Sequence, residues 1–252
     1  MSYTIQAACH TITGRRSQNQ DAYVFDPERQ LFAVLDGMGG QAGGEVASTL
    51  AAEAMATFYE RVVAQPDATW PFAIDPRRPL IENQLDAAIR LANRRVYSNR
   101  TCPHAAMGTT VASIALCPSI AVLGHVGDSR VYRLRAGQLV QLTRDHSLYE
   151  VLKADGVSLP PLAEFPHANV ITRALGPTPD ERPDLSRVEL VPGDRFLLCT
   201  DGLSGDLAPD ELAALLGAGS PEQAAHALIE AAYAAGSRDN ITALVVAVVP
   251  MQ

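Results

Sequence analysis

Carboxylates recur in this sequence where apolar segments end or begin. LFAVLD closes on Asp36, followed by Gly37; VLGHVGD closes on Asp128; RFLLCTD closes on Asp201, followed by Gly202. In SRDNITALVVAVV the order reverses, with Asp239 and Asn240 ahead of the apolar run, and Asp21 likewise precedes the run 22–25. Singly, each is ordinary turn chemistry, because Asp-Gly suits tight turns and a carboxylate caps a loop. Strands of one layer would instead gather them into a cluster. Two bare carboxylates about 4 Å apart repel by roughly 4 kcal/mol at an effective dielectric of 20. Such a cluster therefore needs raised pKa values or bound cations. All-oxygen donors select hard cations, Mg²⁺ or Mn²⁺. No His-rich or Cys-rich spacing competes for zinc.

The loop after Asp36 reads GMGGQAGGEVAST. Gly37, Gly39 and Ala42 fit a loose GxGxxA, which makes a dinucleotide-binding enzyme an alternative. That fold needs a second strand with an acidic end roughly 20 residues on, and helical periodicity occupies the place instead. Glycine here lets backbone approach a metal and a phosphate closely. No GxxxxGK[ST] exists, so a P-loop is excluded.

The elements that would position these groups are visible as patterns. Short apolar segments at 3–9, 31–35, 110–116, 120–126, 130–135, 195–199 and 242–249 read as strands. Val46, Leu50, Ala54, Phe58 and Val62 repeat at helical spacing, as do Ile81, Leu85, Ala88, Ile89, Ala92 and Val96. A third helix is expected over 221–235, with Pro221 in its first turn. The insertion 66–79 holds four prolines, forbids a continuous helix and is expected to pin Trp70 and Phe72 to the surface. Short connections across 111–135 imply hairpins and antiparallel pairing. The segment 145–175, with Pro160, Pro161 and Pro166, has the character of a flap. Strands, a helix pair and more strands predict an α+β fold with helices on sheets, in one domain over 1–252.

Composition narrows the class. With 252 residues, 47% of them hydrophobic, the chain can bury a large core. A net charge of −8 gains nothing from counterion release, so nucleic acid is not an expected partner. Cys9, Cys102, Cys117 and Cys199 form no CxxC and read as reduced thiols. The first residues lack a cationic start with an apolar core, and the run 243–250 is far below the roughly 20 residues a membrane span needs. A soluble, cytoplasmic monomer with no membrane association is expected.

Eight ordered motifs across 14–249 resemble the metal-dependent type 2C (PPM) serine/threonine phosphatases: GRRSQNQDAYVF, LFAVLDGMGG, MGTTVASIAL, GHVGDSRVYRLRAG, LTRDHSL, NVITRALG, GDRFLLCTDGLSGDL and SRDNITALVV. The resemblance implies a four-layer αββα sandwich of two antiparallel sheets flanked by helices, with two divalent cations (Mn²⁺ or Mg²⁺) in a cleft at one end. Asp36 would bridge both cations, the Gly37 carbonyl would bind one, and Asp201 and Asp239 would complete the other. Asp21 would hold the site, or a coordinated water, from close range. Asp128 with Asp201 matches a weaker third site. Arg16 matches the phosphate-binding arginine, while Arg15 is expected to be a solvated loop residue.

The activity so implied is hydrolysis of phosphoserine and phosphothreonine in proteins by direct attack of a hydroxide bridging the two metals, with Asp36 and Arg16 as catalytic groups. Partners would be phosphorylated proteins, products of a cognate bacterial serine/threonine kinase. A silent phosphoprotein-binding relative is the alternative within the family, yet Asp21, Asp36, Asp201 and Asp239 are all present. Met38 and Gln41 stand where some relatives carry histidine, which leaves the general acid unassigned; His146 and His167 are candidates expected to be structural or on the flap surface.

Overall fold

Alternating burial and continuous apolar runs organise the chain into eleven strands and six α-helices among the described residues. The structure, a computed structural model, describes residues 3–40, 43–64, 69–101 and 105–251. Gln41, Ala42 and Cys102 lie outside the described residues, as do 66–68 of the proline-rich insertion. In order the elements are β1 (Tyr3–Ile12), β2 (Asp21–Asp26), β3 (Leu31–Met38), α1 (Gly43–Ala64), α2 (Leu80–Ser98), β4 (Gly108–Thr109), β5 (Val111–Leu116), β6 (Ile120–Val126), β7 (Arg130–Arg135) and β8 (Gln138–Gln141). There follow α3 (Leu148–Ala154), a 3₁₀ turn (Leu162–Glu164), β9 (Asp184–Glu189), β10 (Arg195–Cys199), α4 (Asp201–Ser204), α5 (Pro209–Gly217), α6 (Pro221–Ala235) and β11 (Ile241–Pro250).

The strands form two antiparallel sheets. One has the order β1-β11-β10-β7-β8; the other has β2-β3-β5-β6-β9, with β4 added against β3. Helices α1 and α2 cover the second sheet through Met55, Leu85, Ile89 and Val96. Helices α5 and α6 cover the first through Leu212, Leu216, Leu228 and Ile229. Between the sheets lie Phe32, Ile114, Leu123, Phe196, Leu198, Leu244 and Val246. This is the α+β, four-layer sandwich with helices outside. Every residue of β5 is buried, because one face meets α2 and the other meets the opposite sheet, which is why VASIAL is apolar throughout. Helix α6 is set by its ends: Ser220 and Gln223 make a capping box, Pro221 starts the first turn, and Gly236 closes the helix at φ 110.

Antiparallel sheets rule out the dinucleotide-binding alternative, which requires a parallel βαβ unit. A second expectation fails between β6 and β7. They are not a hairpin: β6 pairs with β5 and β9, whereas β7 pairs with β10 and β8 in the other sheet. Gly127, at φ 109, turns the chain across the sandwich there. The region 145–175 contains α3 and the 3₁₀ turn. In the described part of the insertion, Trp70 packs edge-on against Phe58 with ring centroids 5.9 Å apart. Phe72 lies beneath the guanidinium groups of Arg90 and Arg94, 3.7 and 4.3 Å from its centroid. Among the described residues no helix is long and apolar enough to cross a membrane.

Phe196 is fully buried between the sheets. Phe196→Ala is expected to lower unfolding stability by about 3–5 kcal/mol, read from urea denaturation. A loss under about 1 kcal/mol would contradict the packing described, since such losses are typical of surface positions.

Candidate metal centre

The carboxylates meet because alternate strands enter and leave at one end of the sandwich. Asp21 opens β2 and stands directly opposite Asp36 near the end of β3. Asp201 follows β10 and starts α4, Asp239 precedes β11, and Asp128 sits in the crossing from β6 to β7. A cleft of about 550 Å³ has Asp36, Gly37, Asp128, Asp201, Asp239 and Arg16 on its wall. A neighbouring groove of about 1030 Å³ shares Arg16, Asp128, Asp201 and Asp239 and extends along the flap to Tyr149 and Lys153.

Backbone and hydroxyl contacts fix these side chains. The Asp36 N–H donates to Thr110 Oγ1 at 3.0 Å, and its carbonyl accepts from Thr110 N–H and the Thr109 hydroxyl, both at 2.9 Å. Thr110 Oγ1 is also 2.7 Å from Ser129 Oγ, beside Asp128. A Cβ on Gly37 would lie 2.1 Å from the Gly44 carbonyl oxygen, and one on Gly202 would lie 2.0 Å from that of Asn240. Only glycine allows these backbones to approach so closely.

Asp21 is placed behind the cleft rather than on its wall. Its Oδ2 accepts from the Thr200 hydroxyl at 2.9 Å and the Thr242 hydroxyl at 2.6 Å. Its Oδ1, like Asp201 Oδ1, is buried with no hydrogen-bond partner among the described residues. Two such oxygens without donors are unusual in a folded protein.

By exposed surface these aspartates are half-buried, and the surrounding protein desolvates them strongly. Burial, opposed by the two threonine hydroxyls and reinforced by Asp201 and Asp239, pushes Asp21 up to about 7. Burial and then Asp201 and Asp145 push Asp128 up to about 7. Asp36 is raised well above the usual carboxylate range by burial, then by Asp21, Asp201 and Asp128. Asp201 is raised by burial and then by Asp239, with the neighbouring Asp36 opposing the shift. The cluster thus holds protons where a cation would otherwise balance the charge.

Arg16 is drawn into the same system. Its Nη2 donates to Asp239 Oδ2 at 2.7 Å and its Nε to the Arg238 carbonyl at 3.1 Å, so the guanidinium lies at the cleft on an aspartate. Arg15 is exposed, as expected, and also makes contacts that its sequence did not signal. Its guanidinium donates to the Gly236 and Tyr233 carbonyls, at 3.0 and 3.4 Å, and stacks over the Tyr233 ring. It adds donors at the end of α6, where the last carbonyls have no i+4 partner and that of Tyr233 accepts from the Gly236 N–H at 3.3 Å.

Several positioning residues were not singled out by sequence. Asn240 accepts from the Gln20 N–H and donates to the Thr13 and Gln18 carbonyls, at 2.8, 2.9 and 2.8 Å. It ties the loop bearing Arg16 to the loop bearing Asp239, and its place beside Asp239 was the only available signal. Thr200 and Thr242 carried none, since their partner is distant in sequence. Asn169 and Ile171 reach the cleft from the flap. Met38 offers no proton, His146 is bonded to Gly127 and Asp184, and His167 is exposed on the flap.

Among the described residues, no three His, Cys, Asp or Glu side chains are gathered closely enough to hold an ion unaided. That suits hard cations: Mg²⁺ characteristically uses one or two carboxylates and keeps several waters. The all-oxygen donor set, the partnerless Asp21 and Asp201 oxygens and the glycine-backed carbonyl of Gly37 fit such ions.

The family model described as protein phosphatase 2C matches residues 10–231. The serine/threonine protein phosphatase PstP of Mycobacterium tuberculosis is 36% identical over 237 residues, covering 93% of this chain. The chain spans 43% of that relative's length. The serine/threonine phosphatase stp of Listeria monocytogenes is 32% identical over 250 residues, 96% of this chain and 95% of its own. Among solved structures, the catalytic domain of PstP in complex with two manganese ions is similar at a TM-score of 0.83 and 33% identity, covering 99% of this chain and all of that one. Motifs, sandwich and carboxylate cleft agree with these matches: the chain belongs to the protein phosphatase 2C family.

Proposed function

We propose that the chain is a divalent-cation-dependent phosphatase that hydrolyses phosphoserine and phosphothreonine in proteins. One observation carries the reading: Asp36, Asp128, Asp201 and Asp239, from separate segments, face one cleft with Asp21 directly behind. The relatives named as serine/threonine phosphatases, and a similar structure holding two manganese ions, support it.

Asp36, the Gly37 carbonyl, Asp201 and Asp239 would hold two cations, Mn²⁺ or Mg²⁺, with Asp21 close behind and Asp128 and Asp201 at a weaker third site. When bound, the pair supplies an acidified water as the nucleophile and neutralises charge on the phosphoryl oxygens. The protein does the rest by placement. Arg16 presents a planar fork to the non-bridging oxygens of the phosphoryl group. The Thr200 and Thr242 hydroxyls hold Asp21 in one orientation. The groove along the flap receives the chain on either side of the phosphorylated residue, products of a bacterial kinase being the natural substrates. Phosphoprotein binding without turnover gains no support, because no member of the carboxylate set is lost.

Asp36→Asn or Asp239→Asn is expected to lower Mn²⁺-dependent phosphate release from a phosphothreonine peptide by about 100-fold or more, the scale on which positioned charge acts in catalysis. Circular dichroism should remain unchanged. Turnover equal to wild type in both variants would sink the assignment. Arg16→Ala should raise KM for that peptide about tenfold, the loss of roughly one charge-assisted hydrogen bond; an unmoved KM would remove its phosphate role.

Stability should depend on pH with a definite sign. Asp21 and Asp128 hold protons up to about 7, against 3.8 in an open chain. Between these values the folded state binds more protons than the unfolded one, so metal-free stability falls as pH rises. The melting temperature in chelator should drop from pH 5 to pH 7.5, and Mn²⁺ should raise it more at pH 7.5. A metal-free melting temperature that climbs across this range would contradict the electrostatics.

A further inference from the structure

The flap joins the sandwich through a short antiparallel ribbon. The Leu148 N–H donates to the Val170 carbonyl at 2.8 Å, Ser147 bridges Ile171, and the Thr172 N–H donates to the His146 carbonyl at 2.7 Å. At the root of this ribbon, His146 is half-buried, its side chain 10% exposed, and bonded to three other segments. Its N–H donates to the Gly127 carbonyl at 2.7 Å, and its Nδ1 accepts from the Gly127 N–H at 3.0 Å. Its Nε2 lies 3.1 Å from Asp184 Oδ2, and its ring lies over His125 with centroids 4.8 Å apart.

The contacts fix the tautomer. Nδ1 can accept from a backbone N–H only if the ring proton is on Nε2, which then donates to Asp184. Arg173 Nη1, 2.9 Å from the same nitrogen, cannot donate to it and is satisfied by Asp184 Oδ1 at 2.7 Å. Gly127 is the residue that carries the chain from one sheet to the other. Its φ of 109 is left-handed, and a Cβ there would lie 2.6 Å from Thr110 Cβ. The next residue is Asp128. From the flap's returning strand, Asn169 and Ile171 reach the same cleft wall as Asp128.

We propose that His146 is a positioning residue that locks the turn of Gly127 and Asp128 to the root of the flap, so that the Asp128 carboxylate and the flap residues facing it move as one unit. Two reciprocal hydrogen bonds join His146 to Gly127, and the returning strand of the flap's root pairs with His146 and its neighbour through Thr172 and Ile171. The clamp belongs to no ion and no substrate. Its functional part rests on the reading of Asp128 as the carboxylate of the weaker cation site.

Two variants separate the clamp from mere bulk. His146→Leu fills the space without an acceptor, and His146→Asn places an amide oxygen close to the Nδ1 position. Hydrogen exchange on the full chain should show the Gly127 amide losing protection about tenfold or more in H146L and regaining it in H146N, with β10 and β11 amides unchanged. Calorimetric titration with Mn²⁺ should show the weaker class of site loosened about tenfold in H146L, restored in H146N, and the tight sites unaltered. Gly127 protection equal to wild type in H146L, or lost in H146N, overturns the clamp. Lost protection with an unchanged weak-site affinity overturns the positioning role. A wild-type chain that takes up no Mn²⁺ overturns the cation reading instead, and the exchange arm still decides the clamp.

Discussion

Like charges confined to one pocket are the constraint from which the rest of this site follows. Asp21, Asp36, Asp128 and Asp201 are all pushed toward their protonated forms by burial and by neighbouring aspartates. A fold that merely tolerated them would have placed basic side chains among them. Among the described residues one arginine, Arg16, hydrogen-bonds the group directly, and it does so at Asp239. The remaining repulsion is left for small, doubly charged ions, which offer more charge in less volume than any side chain. The surrounding contacts serve to keep the oxygens from turning away. Threonine hydroxyls hold Asp21, the Thr109 and Thr110 pair holds the Asp36 backbone, and Asn240 binds two loops together.

The antiparallel sandwich suits this task. Strands that run both ways bring starts and ends to the same edge, so residues far apart in sequence arrive side by side. Asp21 and Asp36 belong to one sheet, Asp201 and Asp239 flank strands of the other, and Asp128 lies on the link between them. Apolar side chains fill all three interlayer spaces, which leaves the strand ends as the place where polar chemistry meets solvent.

Much of this was legible in the sequence because it was written in short range. Apolar runs gave most strands, and residues at helical spacing gave α1, α2 and α6. Helix α5 carried a fair signal in Pro209, Leu212 and Leu216, which the short, Ala-rich stretch obscured. Strands β8 and β9 were hidden because QLVQ and DLSRVE are largely exposed and polar. The carboxylates of the cleft were legible as a recurrence at strand ends. What stayed illegible depended on distant partners: the sheet crossing at Gly127, the contacts of Arg15 at the end of α6, and the hydroxyls that hold Asp21. A turn of three residues looks the same whether it closes a hairpin or changes sheets.

Because the cleft draws Asp36 from one sheet and Asp201 and Asp239 from the other, its width is set by how the two layers sit over each other. Sliding one layer by a fraction of an ångström would alter the distance from Asp36 to Asp201 with no change in either residue. Phe32, Ile114, Phe196 and Leu244, packed between the layers, therefore act as spacers as well as ballast. Close-packed interiors resist such shear because they deform little. Substitutions there can detune the pocket while the molecule stays folded, so the interior of this sandwich answers to chemistry as well as to thermodynamics.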